Sequence, residues 1–512
     1  MATATDKKKK VSPNGGKSKT KVYQNFIAGK WCDGSNGEII ENRNPAQWSD
    51  LIGTFPHSPK EDVDRAVKSA QKAFKTWRLV PAPQKAKLFY RLVDILNERK
   101  EQYAFDMTRE MGKPIFETRG DVQEAIDTAV YAVGEGYRMF GKTVPSELNN
   151  KFNMTIRMPI GVCGLISPWN FPMAIPSWKI IPALMCGNTV VFKPAEMTPL
   201  SAHNLVEAIL DAGFPPEIIN IVHGSGKEVG TRIVSHPDIP VISFTGSSAV
   251  GKVIGREAAG MLKRVSMELG GKNAQIVMND ADIDHAVDCA IWGGFGTTGQ
   301  RCTATSRVIC EEGIHDLFVE KYIKAAKKLK IGYGNDEGIT MGPCVSESQR
   351  KTVMEYVEIG KKEGATLAYG GKALTKGEHA DGWFHEPTIF TDVKPTMRIA
   401  KEEIFGPVVS VLKIKTFDEA LKVCNDIEYG LSSAVFTKDV DRAFRAFRDI
   451  ESGITYINAA TIGAEAHMPF GGMKATGNGH REGGWEVYEF YSETKACYID
   501  YSGKLQRAQI DD

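Results

Sequence analysis

The chain has 512 residues, 42% apolar and 25% charged, with a net charge of +1. That length allows more than one domain and a large core, and the near-neutral balance gives no electrostatic case for nucleic acid or an anionic membrane as partner. No apolar run approaches the roughly 20 residues that span a bilayer, and the start lacks the apolar stretch of a secretory signal.

Residues 1–21 carry Lys7 to Lys10, Lys17, Lys19 and Lys21 among small polar residues. Such a segment cannot bury enough apolar surface to fold, so a disordered basic tail is expected. Residues 25–31 suggest a strand and a turn at Gly29. Residues 61–77, 84–111 and 116–139 space their apolar side chains as helices do, with Pro83 and Gly112 bracketing the second. From residue 162 the texture becomes short apolar runs alternating with helix-like stretches: candidate strands at 162–167, 189–192, 218–222, 241–244 and 274–278, with a helix at 201–210. This alternation predicts a parallel α/β sheet. A second series follows, with helices at 316–329 and 349–360 and strands near Thr388, Val409 and Ser433. Residues 151–158 and 488–501 alternate polar with apolar or aromatic residues and read as β ribbons outside the two sheets.

The chemistry-bearing segments lie in and between these elements. Cys302 follows the small segment Gly296-Thr297-Thr298-Gly299, whose glycines allow a tight turn beside a ligand. The thiol there is either a nucleophile or a packed residue. The nine cysteines (32, 163, 186, 289, 302, 310, 344, 424 and 497) show neither C-x-x-C pairs nor Cys/His ligand spacing. No disulfide framework and no metal site are expected, and a reducing, cytoplasmic setting fits. Lys193 and Glu196 close a strand where they suit ribose hydroxyls, or are exposed loop charges. Phe244-Thr245-Gly246-Ser247 leads a strand into a helix N-terminus able to take phosphate, though neither G-x-G-x-x-G nor a complete Walker pattern is present. Glu268, before Gly270 and Gly271, is a general base or a surface charge. Asn170, in Ser167-Pro168-Trp169-Asn170-Phe171-Pro172, is an oxyanion donor or part of a proline-bracketed turn. Glu402 and Glu403 precede Ile404-Phe405-Gly406-Pro407.

In their order, these segments resemble the aldehyde dehydrogenase superfamily. The likeness runs from about residue 23 to 500 and includes Gly246 to Gly251, Glu268 to Lys272, Gly299 to Cys302, Glu403 to Pro407 and Pro469-Phe470-Gly471-Gly472. It implies an α/β fold with a Rossmann-type NAD-binding domain (22–145 and 165–278), an α/β catalytic domain (279–484) and a small β oligomerisation domain (146–164 and 485–512). By resemblance Cys302 attacks the aldehyde carbon, Asn170 and the Cys302 N–H hold the oxyanion, and Glu268 activates the water that hydrolyses the thioester. Lys179 and Glu482 match positions that move protons away from the base. The dinucleotide would contact Ile166, Ser167, Pro168, Trp169, Lys193, Glu196, Gly226, Gly230, Phe244, Thr245, Gly246, Ser247, Leu269, Glu403 and Phe405. Glu196 accepts from free ribose hydroxyls and repels a 2′-phosphate, so NAD is expected, with NADP possible.

The substrate pocket would draw on Phe171, Trp178, Arg301, Thr303, His467 and Phe470. Residues 463–467 look like the branches acting on 2-oxoglutarate semialdehyde or aminoadipate semialdehyde, where Arg301 and His467 either meet a carboxylate or serve as structural hydrogen bonders. A broad-range aldehyde oxidiser is the alternative. A coenzyme A-acylating enzyme and a silent structural homologue fit the retained Glu268 and Cys302 less well. A homodimer or homotetramer is expected.

Overall fold

The computed structural model describes residues 20–510; residues 1–19 of the expected basic tail lie outside them. Two seven-stranded sheets dominate. The first runs in the order Arg264–Glu268, Val241–Thr245, Val162–Ile166, Thr189–Lys193, Ile219–Ile221, Asn25–Ile27, Lys30–Cys32. Its first five strands are mutually parallel, and the last two form an antiparallel hairpin. Val162–Ile166 and Thr189–Lys193 are buried at every residue, as expected for parallel strands covered on both faces. Period-two alternation divides them. Cys163, Leu165, Val190, Phe192 and Val241 pack towards helices Ala82–Met111 and Ala174–Met185. Val162, Ile166, Val191, Ile242 and Phe244 face Lys60–Trp77 and Ser248–Gly260.

From Val162–Ile166 the chain builds outward to Ile219–Ile221, then returns to add Val241–Thr245 and Arg264–Glu268 on the other side. The order reverses beside Val162–Ile166, and the crevice at such a switch point is where α/β sheets bind ligands.

The second sheet has the order Thr366–Tyr369, Thr388–Thr391, Val408–Ile414, Thr305–Glu311, Asn273–Val277, Ser432–Phe436, Ile454–Ile457. Only the Thr366–Tyr369 edge is antiparallel. The strand expected at 274–278 therefore belongs here, between Thr305–Glu311 and Ser432–Phe436, and not to the first series. Arg264–Glu268, missed as a strand because its pattern is half polar, takes its place at the edge of the first sheet. Glu268 ends one sheet and Asn273 begins the other, so residues 269–272 carry the chain across the interval between them.

Outside both sheets, Ser492–Asp500 pairs antiparallel with Lys151–Pro159 along its whole length, and Thr143–Val144 adds a short third strand. Two boundaries shift. Tyr488 lies in helix Glu486–Phe490, where it is buried, and residues 162–164 belong to the first sheet. An Ile39–Asn44 and Gln47–Pro56 hairpin was also unforeseen. Among the described residues no helix is long and apolar enough to cross a membrane.

Candidate active site

A cavity of about 310 Å³ opens between the sheets, lined among others by Phe171, Trp178, Thr245, Glu268, Leu269, Arg301, Cys302, Thr303, Phe470 and Glu482. Cys302 reaches it from a turn at Gly296–Gly299 that follows helix Ile283–Phe295. The tight conformation is not carried where the sequence suggests. Gly296 has φ −55°, whereas Thr297 and Thr298 adopt φ 51° and 58°, followed by Gly299 at 68°. Left-handed threonines cost on the order of 1–3 kcal/mol each and persist only when held. Here Glu117 accepts the Thr297 N–H at 2.9 Å, and Thr298 Oγ1 donates to the Gly342 carbonyl at 2.9 Å. Gly299 is obligatory for space as well: a Cβ would sit 2.2 Å from the Gly406 carbonyl oxygen.

Asn273, unassigned by sequence, fixes the other side of the cysteine. Its Nδ2 donates to the carbonyls of Cys302 (2.7 Å) and Ala304 (2.9 Å), and its Oδ1 accepts the Ser432 N–H at 3.0 Å. Burial, then the nearby Glu268 and Glu403 carboxylates, push the Cys302 thiol up to about 12. At rest it is a thiol, and a base must take its proton as it attacks.

Glu268 suits that task. It is buried at the end of its strand, and its Oε1 has no hydrogen-bond partner among the described residues. Burial, then the negative Glu482, hold its carboxyl well above the usual carboxylate range, with Lys179 and Arg481 pulling the other way. Lys179 and Glu482 form a buried ion pair. Lys179 Nζ also donates to Ser243 Oγ at 2.8 Å, while Ser243 and Thr245 hydroxyls reach Glu482 at 3.4 Å. Glu482 is held by reciprocal backbone bonds with Phe470, at 2.6 and 2.7 Å. Asn170 is buried immediately before Phe171, which lines the cavity.

The switch-point crevice gathers the expected cofactor residues. Ile166 ends the central strand and the buried Ser167 follows it, with Pro168 and Trp169 half-buried beyond. Lys193 is buried, donates to the Pro194 carbonyl at 2.8 Å, and is lowered to about 8 by burial, with Glu196 opposing. Glu196 is exposed. Ser247 caps helix Ser248–Gly260, its hydroxyl accepting the Val250 N–H. The remaining free N–H groups and the helix dipole suit a pyrophosphate. A Cβ on Gly226 would meet nothing within 4 Å and one on Gly230 only the Lys193 stem, so a groove runs open there; a Cβ on Gly246 has no such room, since it would lie 2.5 Å from the Phe244 ring. Across the cleft Glu403 accepts the Gly271 N–H at 3.0 Å and is raised to about 7 by burial. Phe405, at φ 56°, sets its ring edge-on to Trp169 with centroids 5.3 Å apart. Polar groups at strand ends, a capped helix start and an aromatic pair fit a dinucleotide.

On the substrate side Trp178 and Phe470 pack at 4.9 Å, giving the cavity an apolar wall with Phe171. His467 is a correction. Its side chain is exposed, pairs with Glu465 at 3.2 Å and does not line the cavity, because the 463–468 loop turns it to solvent. Arg301 does line it, bound to Glu117 at 2.5 Å and to Thr297 Oγ1 at 2.8 Å. The Glu117, Asp121 and Glu124 face of helix Ile115–Glu135 was not anticipated; only its helical periodicity was visible.

Residues 31–497 match the model of the aldehyde dehydrogenase family. The chain is 40% identical over 478 residues to the alpha-ketoglutaric semialdehyde dehydrogenase of Bacillus subtilis, covering 93% of this chain and 98% of the relative. It is 42% identical to human aldehyde dehydrogenase 1A1, covering 94% and 95%. Among solved structures it superposes on the betaine aldehyde dehydrogenase of Staphylococcus aureus in complex with NAD+ with a TM-score of 0.92, at 36% identity and 94% and 95% coverage. With a cysteine and a buried carboxyl sharing one cavity beside a dinucleotide crevice, the chain belongs to the aldehyde dehydrogenase family, oxidoreductases that act on the aldehyde group.

Proposed function

We propose that this protein oxidises an aldehyde to its carboxylic acid with NAD, through a thiohemiacetal and a thioester on Cys302. The observation that carries the reading is that Cys302 and Glu268 line one cavity while Glu268 Oε1 has no hydrogen-bond partner among the described residues. Sγ adds to the carbonyl carbon as its proton passes to Glu268, and the Asn170 amide with the Cys302 N–H holds the oxyanion. When bound in the crevice, the nicotinamide supplies the hydride acceptor. Glu268 then takes a proton from water, which attacks the thioester and frees the acid and the thiol. Lys179 and Glu482, joined to Ser243 and Thr245, take the thiol's proton from Glu268 before hydrolysis, and the proton Glu268 then takes from water returns to the leaving sulfur.

Lys193 and Glu196 hold the adenosine ribose, Gly246 and Ser247 the pyrophosphate, and Glu403 with Phe405 the nicotinamide side. The exposed carboxylate at Glu196 favours NAD over NADP. The relatives named for semialdehydes support a semialdehyde substrate. A water-directed Glu268 argues against transfer to coenzyme A. All nine cysteines are free, which supports a cytoplasmic location. The exposed Phe152, Ile156, Tyr498 and Ile499 of the outer three-stranded sheet support a homodimer or homotetramer. The test is acid formation from a semialdehyde panel with NAD and without coenzyme A. Absence of acid, or a strict need for coenzyme A, overturns the proposal.

A further inference from the structure

Lys272 ends the segment that carries the chain from Glu268 to Asn273. Its side chain is 1% exposed, and its Nζ has no hydrogen-bond partner among the described residues. A buried ammonium without a partner is costly, and none of the steps above uses it. Its neighbours narrow what it can serve. Arg307, also buried, repels it, and that guanidinium is committed to the carbonyls of Lys272, Val423 and Cys424 at 3.0 to 3.1 Å. The attractive charges near it are Glu403 and Glu402. Glu402 is already engaged: Arg398 donates to it from Nε and Nη2, both at 2.9 Å, and Tyr356 from its hydroxyl at 2.7 Å. Glu403 forms no ion pair among the described residues. Its Oε1 accepts the Gly271 N–H at 3.0 Å, and a Cβ on Gly270 would lie 2.4 Å from its Oε2. The carboxyl therefore rests on residues 270 and 271, directly before Lys272.

We propose that Lys272 is a positioning residue for the cofactor: it is the counter-charge that lets Glu403 face the nicotinamide ribose as a carboxylate. The inference rests on the cofactor assignment above and adds the residue that sets the charge of its nicotinamide-side contact. Ribose hydroxyls donate most strongly to an ionised carboxylate. Burial disfavours that form and raises Glu403 to about 7, while the Gly271 N–H and then Lys272 pull it down. Burial, then Arg307, lower Lys272 to about 7, with Glu403 and Glu402 opposing. The two groups titrate as a coupled pair in which each charge favours the other. The other titratable groups near Glu403 add no cation. The Cys302 thiol is raised by burial, Glu268 and Glu403, and the Tyr429 hydroxyl by burial, Glu403 and Glu428, so both are neutral at pH 7.

The sign of the pH dependence follows. Glu403 grips the ribose when ionised, so affinity for NAD is full well above about 7 and falls as pH drops through that value. Loss of the opposite charge moves a carboxyl up by about one to two units. In Lys272→Met the Kd for NAD should therefore rise about fivefold or more at pH 7 and return to within about twofold of the wild type at pH 9. ADP, which lacks the nicotinamide ribose, should bind both proteins equally at each pH. Lys272→Arg keeps a permanent charge, so its affinity for NAD should persist to lower pH than in the wild type. Glu403→Gln cannot ionise; its Kd should be independent of pH, and adding Lys272→Met should change it no further. Calorimetric titration of NAD and ADP into the cofactor-free protein reads all of these. Equal weakening at pH 7 and pH 9, weakening of ADP alongside NAD, or an additive loss in the Glu403→Gln background overturns the role. Where Lys272→Met does not fold, Lys272→Arg decides, and a wild-type pH profile in it overturns the role. A wild type that does not bind NAD at all overturns the proposed function instead.

Discussion

Lys179 and Glu482, 303 residues apart, form an ion pair whose side chains are 0% and 3% exposed, at the back of the cavity that holds Cys302. A pair so enclosed stabilises weakly as a whole, yet removing one partner strands the other charge. Lys179→Met should therefore destabilise the fold by about 3–5 kcal/mol. Lys179→Met with Glu482→Gln should regain most of it, and urea denaturation of the two variants checks this.

Acid formation should rise with pH. Glu268 serves as base only when ionised, and burial with the negative Glu482 raises its carboxyl well above the ordinary range. The ionised fraction, and with it thioester hydrolysis, therefore falls as pH drops through that raised value. Pre-steady-state kinetics should show the hydrolytic phase slowing with acidity. A phase independent of pH from 5 to about 8 would remove Glu268 from that role.

The base depends on a missing side chain elsewhere. A Cβ at Gly471 (φ 153°) would lie 2.5 Å from Glu268 Oε1 and 2.8 Å from Arg481 Cδ. Since Oε1 is the free end of its side chain, Gly471→Ala should displace the carboxyl, and at this φ it also strains the backbone. We expect turnover to fall about tenfold or more, with a larger effect on hydrolysis than on the first oxidation step. Parallel measurement of the NADH burst and of steady-state turnover separates the two.

Glu196 stands exposed beside the buried Lys193. Glu196→Ser removes the repulsion of a 2′-phosphate and should narrow the preference for NAD over NADP, read as the ratio of kcat/KM for the two cofactors. An unchanged ratio would refute the electrostatic argument.

Much of this was legible along the chain. Buried parallel strands such as Val162–Ile166 are short apolar runs ending in the residues that meet the ligand, and amphipathic helices such as Lys60–Trp77 show their spacing directly. What escaped depends on distant partners. Asn273 holds Cys302 and Ala304 from 29 and 31 residues away, and Glu117 holds the Thr297 turn from 180. Thr297 adopts a conformation that its own side chain disfavours, so local propensity pointed to the glycines. The Asn273–Val277 strand could not be assigned to its sheet from its own sequence, because both sheets contain equally apolar parallel strands. His467 misled for the opposite reason: proximity in sequence to Phe470 did not bring it to the cavity.

The most direct test is intact-mass and peptide mapping of Glu268→Gln incubated with an aldehyde substrate and NAD, beside Cys302→Ala. The account predicts slowed formation of at most about one equivalent of NADH, with a stable acyl adduct on Cys302, in the first variant, and neither in the second. An adduct on another cysteine such as the half-buried Cys289, or NADH formed by Cys302→Ala, would contradict it.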